Sequence, residues 1–217
     1  MAFRLRGRCG YPFDDPFKPT FHPDRLIEPE RIKKPHLIFT CSMGELFDPN
    51  LDTQITANVL AEMFKECNHK HTFQILTKRP DLAALFVFAK NIWLGCSQDC
   101  RFTKAEDLDY IRELRTPAVR FVSFEPLLGP FTGNLTGFDW VIVGAQTKPT
   151  VEPNPAWVRG ILEEAAILDI PVFLKDNLGW PEKRREFPIA WKSKYPFRVD
   201  VLTSAKYILQ EAGKTEQ

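Results

Sequence analysis

No apolar run in this 217-residue sequence approaches the ~20 residues that a helix needs to cross a bilayer. The first residues, Met1-Ala2-Phe3-Arg4-Leu5-Arg6, break their apolar character with arginines and do not read as a secretory signal. Charge of one sign is not in excess either. The net charge is +1, so nothing pulls the whole chain toward nucleic acid or an anionic membrane. Cysteine is scarce: Cys9, Cys41, Cys67, Cys96 and Cys100 are odd in number and irregular in spacing. That usage suits free thiols in a reducing cytoplasm rather than a disulfide framework, and the expected localisation is cytoplasmic. Cys96 and Cys100 stand at a spacing that can bind metal, but two thiols do not complete a site. Without a signal peptide, Asn134-Leu135-Thr136 is a chance match to the glycosylation triplet.

Several chemistries lack their motifs. No Gly-x-Gly-x-x-Gly or Walker pattern follows an apolar run, which disfavours dinucleotide and phosphate-loop sheets. No Gly-x-Ser-x-Gly elbow is present, which argues against a serine hydrolase. The histidines, His22, His36, His69 and His71, form no pair at the carboxyl end of an apolar run, so a hydrolytic metal centre is not expected.

What the sequence does have is alternation. Apolar runs at 36–41, 72–76, 91–94, 118–122, 139–143 and 171–174 read as strands buried on both faces. Helical patterns lie between them. Asp52 looks like an N-cap before Ile55, Val59, Leu60, Met63 and Phe64; a second helix carries Leu82, Leu85 and Phe86. Thr103 and Glu106 read as a capping box before Leu108, Ile111 and Leu114. Asn154-Pro155 reads as an N-cap and first turn before Trp157, Ile161, Leu162 and Ala165. Strands alternating with helices imply a parallel sheet with right-handed crossovers. The expected fold is α/β, a partial or incomplete (β/α) barrel, TIM-like, with about six parallel strands. Its body spans 36–180. Residues 1–35 form a loop-rich, proline-punctuated lead-in pinned by Phe13, Phe17 and Phe21, with a short helix over 24–32. Residues 181–217 form a charged, aromatic tail in which Phe187, Trp191, Tyr195 and Phe197 pack back, with a last helix over 200–210.

In such barrels ligands bind at the carboxyl ends of the strands. Those ends are polar in all six cases and place Ser42, Glu45, Thr77, Lys78, Arg79, Ser97, Gln98, Glu125, Gln146, Lys175 and Asp176 around one mouth. Glu125 ends its strand because Pro126 follows and has no N–H for a ladder. It serves either a ligand or a structural ion pair. Lys78 and Arg79 suit a ligand carboxylate or phosphate; the competing role for Arg79 is a salt bridge to Glu45 or Glu125. Lys175 raises a Schiff-base alternative. Two basic clusters, Arg4, Arg6 and Arg8 and Lys183, Arg184 and Arg185, would serve a nucleic-acid partner, with a solvated face as the alternative; Arg31, Lys33 and Lys34 form a third such cluster.

The strand ends come in a fixed order: Phe39-Thr40-Cys41-Ser42-Met43-Gly44-Glu45-Leu46-Phe47, Leu76-Thr77-Lys78-Arg79-Pro80, Trp93-Leu94-Gly95 with Ser97, Ser123-Phe124-Glu125-Pro126-Leu127-Leu128-Gly129, Asp139-Trp140-Val141-Ile142-Val143-Gly144 and Phe173-Leu174-Lys175. In this order they resemble the phage-associated family named after gene products thirty-seven and sixty-eight. The resemblance implies a relative of the radical S-adenosylmethionine enzymes with a partial barrel. It also implies an N-terminal triplet of cysteines, ending in Cys-x-x-Cys-Tyr-Ala, that would hold a [4Fe–4S] cluster and leave one iron for S-adenosylmethionine. This sequence has no such triplet. It also reads Gly144-Ala145-Gln146-Thr147 where the family has a Gly-Gly-Glu-Ser-like turn, and Gln98-Asp99-Cys100 where the family tends to Val-Glu-Asn. The expectation is a chain starting at an internal methionine of a longer radical-type protein. On that reading the chain itself carries no cofactor, and a cluster and S-adenosylmethionine require an upstream cysteine motif. The rivals are a shortened relative that keeps the barrel as a ligand- or nucleic-acid-binding module, and a cluster-independent barrel lyase using Glu125 and Lys175.

Overall fold

A computed structural model describes residues 4, 6–8, 11–42, 44–114 and 117–188. Six strands form one all-parallel sheet in the order β1 to β6: β1 Leu37–Thr40, β2 Thr72–Thr77, β3 Ile92–Ser97, β4 Val119–Phe124, β5 Trp140–Val143 and β6 Val172–Leu174. The sheet is curled into half a barrel. The five longest-bounded helical segments are α1 Glu28–Arg31, α2 Thr53–Phe64, α3 Pro80–Ala83, α4 Asp107–Arg112 and α5 Pro155–Ile167. This is the partial α/β barrel that the alternation implies.

Each strand alternates between two apolar layers, as a period of 2 requires. Ile92, Leu94 and Cys96 of β3, Val122 and Phe124 of β4, and Val141 and Val143 of β5 pack outward with Leu60, Met63, Leu108, Ile111, Val158, Ile161 and Ala165 of the helices. Trp93, Val119, Phe121 and Trp140 point to the concave side and form a second cluster with Phe187. β3 is buried on both faces and β4 nearly so, which is why they read as continuous apolar runs; β1, expected to be buried likewise, stands at the sheet edge with no buried residue, and its Phe39 is exposed. β3 runs further than the sequence suggests, because Gly95 does not end the ladder, and β4 runs on to Phe124. A Cβ on Gly95 would lie 2.3 Å from the Phe121 ring, so the glycine makes room for an aromatic ring across the concave floor.

Two helix caps form as expected. Asp52 and Asn154 accept from the N–H groups of Gln54 and Ala156 at 2.9 Å each. The Thr103–Glu106 capping box does not form. Thr103 instead donates its hydroxyl to Gln98, and Glu106 caps α4 with no side-chain bond. The competing acceptor is Asp99, whose Oδ1 takes the N–H groups of Arg101, Phe102 and Thr103 and folds the loop before the helix starts. The helix after Arg79 is one turn, and Leu85 beyond it is 76% exposed. Phe13 and Phe17 are exposed as well; Pro16 is the buried residue of that segment. The short N-terminal helix divides into a 3-10 turn at Pro23–Arg25 and α1.

Phe187 packs back on the body as expected, with its ring centroid 5.6 Å from those of Trp140 and Phe173. The expected helix over 200–210 lies outside the described residues, as do Trp191, Tyr195, Phe197 and Cys9. Among the described residues no helix is long and apolar enough to cross a membrane.

Candidate functional site

Strand register decides which polar ends meet. Ser97 pairs with Ser123, and both follow the concave-side positions of their strands, as do Glu125 two residues beyond Ser123 and Gly144 two beyond Ile142. On β6, Phe173 is concave-facing, so Lys175 is too. The Lys175 backbone N–H donates to the Val143 carbonyl at 2.9 Å, which seats it beside β5. Its Nζ forms an ion pair with Glu125 Oε2. The two side chains remain 28% and 40% exposed, so the pair closes the mouth while staying open to solvent. Beneath it, the Ser123 and Ser97 positions are buried.

Gly144 makes this placement sterically feasible. A Cβ there would lie 3.1 Å from both Cγ and Oε1 of Glu125, a contact that would force the carboxylate aside. The peptide between Glu125 and Pro126 is cis, and Leu127 N–H returns to the Gly144 carbonyl at 3.1 Å. Asn177 fixes the end of β5: its Nδ2 donates to the Ala145 carbonyl at 2.9 Å and its Oδ1 accepts the Ala145 N–H at 3.3 Å.

The β1–β2 side of the mouth is built differently. Glu45 accepts from the Thr77 hydroxyl at 2.8 Å, the Lys78 N–H at 2.9 Å and the Phe47 N–H at 3.1 Å. Thr77 in turn accepts the Arg79 N–H at 2.8 Å. Arg79 pairs with neither Glu45 nor Glu125. Its guanidinium forks onto Asp81 at 3.1 and 2.9 Å and holds that carboxyl below its usual range. A partner two residues away on the same turn reaches it before either mouth carboxylate does. Lys78 and Ser42 are exposed at the rim.

Two further predicted residues serve loops. Gln98 is buried, accepts from Thr103 and donates to the Lys104 carbonyl at 2.9 Å. Gln146 donates to the Pro149 carbonyl at 3.2 Å and bridges to Val151. Asp176 is ion-paired with Arg185. The concave-facing set is therefore Glu125, Lys175 and Ser97, with Lys78 at the rim. Ser123 and Gly144 belong with them; both stand within the ordered strand-end motifs but not among the candidate ligand residues. Counting back by two from Glu125 and Gln146 along their strands was the signal that would have found them.

Of the basic clusters, Arg4, Arg8 and Lys183 are exposed. Arg6 lies 4.8 Å over the Phe13 ring and donates to the Phe13 carbonyl, and Arg185 is engaged by Asp176. The histidines sit away from the mouth: His71 is buried at the amino end of β2, where its Nδ1 accepts the His36 N–H at 3.1 Å.

The fit to an iron–sulfur cluster is a question of donors. Cys41, Cys67, Cys96 and Cys100 are all free thiols, and burial pushes Cys96 and Cys100 up to about 12. Among the described residues no group of three or more His, Cys, Asp or Glu side chains stands close enough to hold a metal ion. These residues do not supply a cluster-binding set.

The fold and its mouth define a parallel (β/α) half-barrel with a carboxylate–ammonium pair at the carboxyl ends of its last strands. The chain belongs to the family described as proteins of unknown function, DUF5131, whose model matches residues 1–215. No curated protein and no solved structure gives a match to it.

Proposed function

We propose that this chain is a cytoplasmic, ligand-binding half-barrel of the phage-associated, radical S-adenosylmethionine-like type, which takes a zwitterionic amino-acid ligand such as S-adenosylmethionine on its concave face. The observation that carries the reading is the Glu125–Lys175 pair, half open to water above an apolar floor. An ammonium and a carboxylate on one carbon match such a pair in charge. The ligand ammonium meets Glu125 and the ligand carboxylate meets Lys175, so each charge exchanges one partner for another and none is left buried alone. The hydroxyls of Ser97 and Ser123 lie on the same face for the remaining carboxylate lone pairs. Aromatic and aliphatic side chains, among them Phe39 at the open end of the wall, supply apolar contact.

The described cysteines do not form a cluster site, so no redox step is assigned to this chain. The Schiff-base alternative is disfavoured because the Lys175 Nζ is engaged by Glu125. Nucleic-acid binding through Arg4, Arg8 and Lys183 is a weaker reading, since Arg6 of the same clusters is engaged by the Phe13 carbonyl and Arg185 is held within the fold.

Calorimetric titration of the iron-free protein with S-adenosylmethionine, methionine and adenosine tests the proposal. The expected result is saturable binding of S-adenosylmethionine that weakens at least ~10-fold in Glu125→Gln, the loss expected of one charged hydrogen bond. Binding that is absent, or indifferent to Glu125→Gln and Lys175→Met, overturns it. Anaerobic iron–sulfur reconstitution should leave the chain colourless; incorporation of about four irons per chain overturns the assignment of no cluster to it.

A further inference from the structure

Beyond the 3-10 turn at Asp176–Leu178 the chain doubles back along the outer edge of β6. Leu174 N–H donates to the Arg184 carbonyl at 3.0 Å, Glu186 N–H donates to the Val172 carbonyl at 3.1 Å, and Phe173 and Arg185 form an antiparallel bridge. Glu186 adds two more ties. Its Oε2 accepts the Val172 N–H at 2.8 Å, and its carbonyl accepts the Trp140 indole N–H at 2.9 Å. Phe187 then enters the concave floor.

Arg185 is the unusual member of this strap. Its side chain is only 7% exposed, its guanidinium lies 4.8 Å over the Phe173 ring, and it is ion-paired with Asp176. A cation is expensive to bury, and here it is compensated by a carboxylate on one side and a ring face on the other. Those two partners flank Lys175: Phe173 lies two residues before it and Asp176 one residue after. One guanidinium thus holds side chains on both sides of the lysine that meets Glu125.

We infer that Arg185 is the positioning residue of Lys175. Through Phe173 and Asp176 it holds the end of β6 in the conformation that aims the ammonium at Glu125, which makes the strap at 184–187 a working part of the mouth. The inference uses the ligand-site reading only for what the aimed ammonium does; the aim itself is a property of the free protein.

Reductive ¹³C-methylation of the lysines keeps their charge and gives each a methyl signal, and the loss of one signal in Lys175→Arg assigns Lys175. In the otherwise unchanged protein Glu125→Gln shifts that signal. Arg185→Met is expected to abolish the Glu125-dependent shift, Asp176→Asn to reduce it by half or more, and Arg185→Lys to retain a measurable part. If the shift keeps its full size in Arg185→Met and Asp176→Asn, even with a lowered Tm, Arg185 merely secures the tail and the inference is overturned. Should Arg185→Met fail to fold, Asp176→Asn decides alone, because Asp176 is exposed and its loss removes only the ion pair. Failure of the ligand reading shows differently. S-adenosylmethionine would then leave the Lys175 signal unmoved while its dependence on Arg185 persisted.

Discussion

Two glutamates end up at the same mouth with opposite duties. Glu45, on the β1–β2 side, spends both oxygens on three donors from the chain around it. Glu125, on the β4–β6 side, has a single charged partner and stands against a glycine that leaves its flank open. The first carboxylate builds a loop and the second presents a charge. What separates them is the number of backbone N–H groups within reach. Where the chain turns back on a carboxylate, the backbone claims it; where a strand ends on one just before a proline, a ligand can.

The sharpest way to break this comparison is Glu45→Ala. It strands the hydroxyl of buried Thr77 and the N–H groups of Phe47 and Lys78, and should cost about 2–3 kcal/mol, read as a Tm lowered by roughly 5–10 °C. An unchanged Tm would put the two glutamates in the same class. Glu125→Gln should do the reverse: a Tm shift under about 2 °C, as for an exposed ion pair, with the ligand affinity falling ~10-fold. Gly144→Ala sharpens the contrast without touching a charge. Its Cβ displaces the Glu125 carboxylate, so affinity should fall about 3-fold for a stability cost near ~1 kcal/mol, measured by the same titration and melt.

A separate test concerns the thiols between the two sides. Burial holds Cys96 and Cys100 at about 12, whereas an unfolded thiol ionises near ~8.5. The unfolded chain therefore loses those protons first, so stability is full below about pH 8.5 and declines as pH rises toward 12. Urea melts at pH 8 and pH 10 should show the decline, and Cys96→Ser and Cys100→Ser should flatten it. Iodoacetamide at pH 8 should label exposed Cys67 well before either.

The architecture was legible because two buried faces leave a plain mark: six short apolar runs, each closed by polar residues, with helical patterns between. Two caps were legible for the same local reason, a side-chain oxygen directly before a helix. The Thr103 box was not, because Asp99 captures the same loop and no pattern ranks the two acceptors. The mouth was half legible. Each candidate does lie at a carboxyl end, but spacing along the chain does not say which of two faces a residue takes after the strand ends. Thus Gln98 and Gln146 turned into loops, Arg79 found Asp81, and Ser123 sat unmarked two residues before Glu125. Lys175 and Glu125, fifty residues apart, meet only because β4, β5 and β6 stand side by side.

That side-by-side order has a consequence for how the protein is made. Each of the six described strands pairs with its neighbour along the chain, so among them none waits for a distant partner. A chain emerging from the ribosome can add one strand–helix unit at a time to an edge already in place. Among the described elements the strap at 184–187 emerges after β6, and with it the hold on Lys175. The mouth is thus completed only after all six strands and the strap have emerged, and nascent fragments that stop before 184 carry the sheet without the hold on its working pair.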